Sequence, residues 1–287
     1  MSFDAAVATA IDAAEGGRFV PRTSTAVAGG CIDGGRLLTD GRRRYFVKSA
    51  RGAAARFAAE ADGLAALAAC DALVVPRVVA RGHAGDGDFM VLEWLDLSPR
   101  GDQARLGEAL AALHAITFDV HGWPRDNFIG ATAQANAPAA DWADFFLTRR
   151  LAPQLALAAD HGAADLQRAA QWLFAAPPTW LMHRPAPSLL HGDLWRGNVG
   201  FVAGRPALFD PAVYAGDAET DLAMAELFGG FSAAFFAAHA ALRAPAEGSM
   251  PRRRLYQLYH VLNHFNLFGG GYAAQAAALL AAVARRR

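Results

Sequence analysis

The run LLHGDLWRGNVGF, Leu189 to Phe201, crowds a histidine, a carboxylate, an arginine and an amide between apolar ends. Asp193 and Asn198 stand five positions apart within it. Those two residue types, so spaced, suit phosphoryl transfer to a hydroxyl. That reaction needs a carboxylate to orient the hydroxyl and accept its proton. It also needs an amide oxygen and a second carboxylate to hold Mg²⁺ against a triphosphate. Protein kinases place the first two groups as H-R-D-L-x-x-x-N. Here His191-Gly192-Asp193-Leu194 leads to Asn198 with the same spacing, and Gly stands in place of Arg. The second carboxylate should follow on a strand end. Asp210, in ALFDPA, closes an apolar run twelve residues after Asn198. Alone, H-G-D reads equally as a polar turn with an Asx cap; Asn198 and Asp210 at the expected places favour phosphoryl transfer.

The remaining groups are sought upstream. Lys48, in RYFVKS, ends a strand-like run and would contact the α- and β-phosphates, while Glu60 on the next helix could pair with it. A lone Lys or Glu is usually a solvated charge. The order strand-Lys, helix-Glu, H-G-D, Asn, Asp makes that reading the weaker one. Gly29-Gly30-Cys31 would bring backbone N–H groups over the phosphates, although it is neither G-x-G-x-x-G nor a Walker A sequence. The backbone of Glu93 to Leu95, at the end of FMVLEWLDL, would meet the adenine edge; otherwise it is a buried strand running into a loop.

These groups need elements to position them. Residues 3–15 carry helical spacing. Short β-like runs TSTAVA, RLLTD and RYFVKS follow, the last two joined by the hairpin residues DGRR. RGAAARFAAEADGLAALAAC reads as one helix with Phe57, Leu64 and Leu67 on its apolar stripe. ALVVPRVVA and DFMVLEWL read as strands joined by RGHAGDG. Beyond Trp94 helices are expected over 102–116, 139–158, 163–174, 219–241, 251–267 and 272–286, interrupted by a compact non-helical region from about 188 to 214. The expectation is an α+β, bilobal, protein-kinase-like fold. Residues 1–94 would form a small nucleotide-binding lobe with an antiparallel sheet and a helix, and 95–287 a larger, mostly helical lobe for catalysis and substrate.

Composition fits such a protein. Of 287 residues, 54% are hydrophobic and 19% charged, so the chain is globular. Lys plus Arg equals Asp plus Glu, 27 each, which argues against a global basic face for nucleic acid. Two cysteines, Cys31 and Cys70, make no disulfide scaffold and suggest a reducing compartment. The start carries Asp4 and Asp12 without a basic n-region, unlike a signal peptide. The apolar run Leu222 to Leu242 is interrupted by Glu226, Gly229, Gly230 and His239, so it reads as buried helix rather than a membrane span. A cytoplasmic protein with no membrane or nucleic-acid partner is expected.

At this point the chain resembles the fructosamine kinase (ketosamine-3-kinase) family, within the aminoglycoside-phosphotransferase-like kinases. HGDLWRGN is similar to the family's catalytic loop, with Trp195 where related small-molecule kinases more often have His. FDPAVYAGDAETDLAMAELFGGF, 209–231, resembles its metal-site segment and following helix. GGCI at 29–32, FAAEADGLAAL and LYHVLNHFNLFGGGY resemble its nucleotide loop, Lys-partner helix and C-terminal segment. Ala215 departs from the pattern, where a second Tyr is common. The resemblance implies transfer of the γ-phosphoryl of ATP, with Mg²⁺, to the 3-hydroxyl of a sugar held as a ketosamine on a small or protein-linked amine. The family's 3-phosphates are unstable and shed the sugar, so the implied pathway repairs glycated amines. The alternatives are a kinase for an aminoglycoside, choline or similar small molecule, and a non-catalytic nucleotide-binding regulator.

Roles follow by position. Asp193 would be the base or hydroxyl orienter, Asn198 and Asp210 the metal ligands, Lys48 and Glu60 the phosphate-positioning pair. His191 and Asp221 would support the loop, although Asp221 reads equally as a helix N-terminal charge. Trp195 could wall the sugar carbons or pack in the core. His260, Asn263 and His264 form a polar stripe that could face substrate or a structural network, opposite Leu255, Leu258, Tyr259 and Leu262. Metal binding by H-x-x-x-H is disfavoured without an accompanying carboxylate. Cys31, among N–H groups and near Lys48, could be a redox thiol linking a homodimer, or a small buried residue in a monomer.

Overall fold

Short apolar runs in RYFVKSA and GDFMVLE, bounded by turn residues, favour strands in the first hundred residues. A computed structural model describes residues 2–27, 34–85 and 87–286. Gly29, Gly30, Cys31 and the rest of the expected nucleotide loop lie outside the described residues.

The chain opens with α1 (Phe3–Glu15), capped by Ser2, whose hydroxyl accepts the Ala5 N–H. Strands β1 (Thr23–Ala26), β2 (Gly34–Thr39) and β3 (Arg44–Ala50) follow, then α2 (Ala54–Leu67), β4 (Val78–Ala84) and β5 (Gly87–Glu93). The sheet has five strands in the order β1-β2-β3-β5-β4, every neighbouring pair antiparallel. RGHAGDG, expected as a loop, is mostly strand: β4 enters it as far as Ala84 and β5 begins at Gly87. Next come α3 (Gln103–His114), β6 (Asn127–Ile129), β7 (Thr132–Gln134) and α4 (Trp142–Phe145). A wide π-turn at Phe146–Leu151 leads into α5 (Ala152–Ala158), and α6 is Ala164–Ala175. The non-helical region holds β8 (Ser188–Leu190), β9 (Val199–Val202), β10 (Arg205–Leu208) and β11 (Tyr214–Gly216). Helices α7 (Glu219–Leu227), α8 (Ala233–Leu242), α9 (Ser249–Phe268) and α10 (Tyr272–Ala284) complete the chain.

The helix expected over 219–241 is two helices. Gly229 and Gly230 have φ of 71° and 87°, a left-handed backbone that ends α7. No helix among the described residues is long and apolar enough to cross a membrane.

Two compact units result. One takes Met1–Gly101 together with Gly197–Pro211; the other takes Asp102–Arg196 and Ala212–Arg287. Composition suggested a boundary after Trp94 and kept 197–211 with the later residues. In the structure the first unit runs to Gly101 and includes the β9–β10 hairpin, where Ser98 pairs with Phe201 and Val74 with Ala207. Within the first unit, Val7, Ile11, Val47 and Val91 form one buried cluster, and Phe57, Leu64, Met90 and Leu92 another beneath α2. The second unit is organised around Trp142, Phe145, Phe146, Tyr256 and Tyr259, with the apolar faces of α5, α9 and α10.

Candidate active site

In the first unit, β3 puts Lys48 on the sheet face covered by α2, and the lysine is 3% exposed. An ammonium so buried requires partners. Its Nζ lies 2.7 Å from Glu60 Oε1 on α2 and 2.6 Å from Asp210 Oδ1. Asp210 follows β10 directly, and the spacing from Asn198 to Asp210 is the length of a hairpin. β9 pairs with β10 from Val199↔Leu208 to Arg205↔Val202. The connecting Ala203 and Gly204 both have positive φ, the geometry of a tight I′ turn. At the hairpin's base the Phe209 N–H donates to the Asn198 carbonyl at 3.2 Å, and Asn198 Nδ2 donates to the Asp210 carbonyl at 3.4 Å. Asp210 has φ of +55°. A non-glycine residue in that region stores strain, and such residues concentrate at functional sites. The Asn198 amide and Asp210 carboxylate supply hard oxygens, the donor class of Mg²⁺, which is completed by water and phosphate rather than by a protein cage. Among the described residues no group of three or more His, Cys, Asp or Glu could hold a metal.

In the second unit, β8 delivers His191-Gly192-Asp193. Gly192 has φ of +81°, and a Cβ there would sit 2.0 Å from the Ala212 carbonyl oxygen. The loop is clasped from behind by Asp221 in the first turn of α7, which is fully buried. Its two oxygens accept the backbone N–H groups of His191 at 2.7 Å and Gly192 at 2.9 Å. His114 Nε2 donates to the same carboxylate at 3.1 Å. Burial opposes ionisation of Asp221, but His114, His191 and the Gly192 N–H outweigh it and hold the carboxyl below its usual range. A carboxylate only accepts, so His114 carries its proton on Nε2, and its Nδ1 accepts from His239 Nε2 at 3.0 Å. Gly107 permits this pairing: a Cβ there would lie 2.2 Å from the Phe235 carbonyl, so α3 and α8 approach closely enough for their histidines to meet. Burial first, then the nearby His114 ring and the Arg243 guanidinium, push His239 down to about 3. Asp193, beyond the clasp, is half-exposed, and its N–H donates to His191 Nδ1 at 3.3 Å.

The other expected residues fall as follows. The Glu93 N–H donates to the Arg77 carbonyl, and the Leu95 carbonyl accepts from Leu97; the Leu95 N–H has no hydrogen-bond partner among the described residues. Trp195 is half-buried. The two stripes assigned to α9 are both inside: His260 is 0% and Asn263 2% exposed, as are the apolar residues opposite. Over residues 255–263, where α5, α7 and α10 pack against it, α9 has no solvated face for a polar stripe to occupy. Asn263 accepts from Gln154, and neither ring nitrogen of His260 has a hydrogen-bond partner. Burial pushes His260 down to about 3. His264 is partly buried against Phe228, Phe268 and Tyr272. Cys70 is buried, and that burial pushes its thiol up.

Sequence reasoning missed His114 and His239. Each is a lone histidine on an apolar helix, more than a hundred positions from its partner. It also missed the buried Asp217, which receives hydrogen bonds from His183 Nε2 at 2.8 Å and Tyr256 Oη at 2.7 Å.

Comparison with known proteins adds three findings. A Synechocystis protein named as a probable ketoamine kinase is 43% identical over 280 residues, spanning 96% of this chain and 94% of that one. A solved Haemophilus somnus structure bearing the name fructosamine-3-kinase superposes with a TM-score of 0.87 at 28% identity, over 96% of each chain. The aminoglycoside phosphotransferase APH(4)-Ia, at 18% identity and TM-score 0.65 over 98% of each chain, shares the protein-kinase-like fold. The fructosamine kinase family model matches residues 3–286, and with that match over nearly every residue the chain belongs to the fructosamine kinase family.

Proposed function

We propose that this chain transfers the γ-phosphoryl group of ATP to the 3-hydroxyl of a ketosamine sugar, of the fructosamine or ribulosamine type, on a small or protein-linked amine. Membership of the fructosamine kinase family makes it a phosphotransferase with an alcohol acceptor. The observation that carries the reaction is the buried Lys48 held between Glu60 and Asp210, a group arranged to neutralise phosphate charge.

In this reading the first unit binds the nucleotide and the second brings base and acceptor. The Leu95 N–H and the Glu93 backbone meet the adenine edge. Lys48, fixed by Glu60, offers its charge to the α- and β-phosphates. Asn198 and Asp210 hold Mg²⁺, which when bound neutralises the developing phosphate charge. Asp193 accepts the proton of the sugar 3-hydroxyl as its oxygen attacks the γ-phosphorus and ADP leaves. Asp221 keeps the His191 and Gly192 backbone rigid so that Asp193 is pre-positioned. Trp195 offers an apolar wall to the sugar carbons. Asn263, being buried, acts within the unit's internal polar network, and the His260 ring packs beside it without a hydrogen bond.

The test is ATP consumption with Mg²⁺ across ribulosamines, fructosamines and aminoglycosides, with the phosphate located by NMR. Turnover of ketosamines with phosphate on O3 is expected. Turnover confined to aminoglycosides, or phosphate on another hydroxyl, would replace this reading.

A further inference from the structure

The second unit contains a cavity of about 540 Å³, in the size range of small-molecule sites. It opens beside the segment after His183 and the end of α8, and Arg184, Arg243 and Arg253 line it. Two carboxylates also line it, but both are committed elsewhere. Asp217 is held by His183, Tyr256 and the Glu219 N–H. Glu219 receives both Nε and Nη2 of Arg252 at 2.9 Å. The arginines are the under-used groups. Arg184 has no hydrogen bond or ion pair among the described residues. Arg253 reaches Glu226 only at 3.9 Å, and its Nε is buried without a partner. Arg243 has a single long contact, 3.3 Å to the Ser188 hydroxyl. His239, 2% exposed, lines the same cavity with one ring nitrogen engaged by His114. Surplus guanidinium donors around a half-open cavity, with the local carboxylates satisfied, are the chemistry of oxyanion recognition.

We propose that this cavity binds a small molecule bearing a phosphate group, held by Arg184, Arg243 and Arg253 and sensed by His239. The nucleotide site draws on none of these residues. The ligand would sit at one end of a hydrogen-bonded chain, His239–His114–Asp221, that terminates on the backbone N–H groups of His191 and Gly192. The cavity is therefore wired to the H-G-D loop by three successive steps, the last a pair of parallel hydrogen bonds, and occupancy bears on the same carboxylate that holds the loop.

The experiment follows the ring resonances of His239 by NMR in ¹⁵N-histidine-labelled full-length protein, assigned by their loss in His239→Gln. Saturating AMP-PNP and Mg²⁺ keep the nucleotide site filled. Inorganic phosphate and glycerol 3-phosphate are titrated as separate probes, with glycerol as the uncharged control. The expected result is a saturable shift of the His239 signals with a phosphate probe and none with glycerol. Response to both probes assigns the site to phosphate esters as well as the free ion, and response to inorganic phosphate alone confines it to the free ion. In Arg184→Gln, an exposed position that should not disturb folding, and in Arg184→Gln/Arg243→Gln, half-saturation should require roughly tenfold more probe per lost guanidinium. No saturable shift with either probe, or unchanged titration in both variants, overturns the proposal.

Discussion

Gly192 and Ala212 approach so closely that a side chain on the glycine would lie 2.0 Å from the alanine's carbonyl oxygen. In the same place the Ala212 N–H donates to the His191 carbonyl at 2.8 Å. This contact explains why the loop reads H-G-D where protein kinases have H-R-D. With φ of +81° and backbone pressed against it, the position admits only glycine.

Gly192→Ala should therefore cost about 3 kcal/mol or more, from left-handed strain and overpacking together, and Gly192→Arg should be worse. Urea denaturation measures the first part. The accompanying loss of kcat, with nucleotide affinity retained, shows that the loop itself has moved.

Lys48→Met removes the ammonium from between the half-buried carboxylates of Glu60 and Asp210. A fall in kcat of roughly 10²–10³ is expected, with a stability loss of about 3 kcal/mol. Lys48→Met/Glu60→Gln should lose less stability than the sum of the single changes, because the two side chains share one ion pair. Strict additivity would show that the pair is not coupled.

Asp193→Asn keeps the size of the side chain and removes its ability to take a proton. kcat should drop by about 10²–10⁴, while ATP affinity, measured by calorimetry, stays near that of the parent. An Asn variant with parental kcat would remove Asp193 from the reaction.

Stability should fall with acid well above the carboxylate range. His239 and His260 are held near 3 in the folded chain, far below the usual histidine value. The unfolded chain then binds more protons below about pH 6.5, so stability is full above that pH and declines as pH drops toward 3. Each histidine contributes on the order of 1 kcal/mol per pH unit. Asp221, whose carboxyl is depressed by its partners, adds a further loss only below the ordinary Asp range. Urea midpoints at pH 7 and pH 5 should differ accordingly, and His260→Leu should flatten the dependence. An unaltered slope in that variant would show that His260 is already solvated.

Much of the site was legible because its residues are local in sequence or set by short geometry. The five-residue offset of Asp193 and Asn198 is one loop, and the twelve residues to Asp210 are one hairpin with a two-residue turn. Lys48 and Glu60 follow from a strand and the next helix. The α9 stripe stayed open between substrate and a structural network because periodicity reports polarity around a helix, not how many neighbours cover it. The break between α7 and α8 lay in two glycines that hydrophobicity alone passes over.

By itself, then, the sequence determined the chemistry of the groups, their order, and the family they identify, since those depend on residue type and on spacing within single elements. Tertiary structure decided which polar groups are paired and which are not. Asp221 became the clasp of the loop because the first turn of α7 meets the backbone of His191 and Gly192. His114 and His239 became one hydrogen-bonded pair because Gly107 lets α3 and α8 touch. Partnership between residues a hundred positions apart is fixed by packing, and packing density is a property of the folded chain that no local pattern carries.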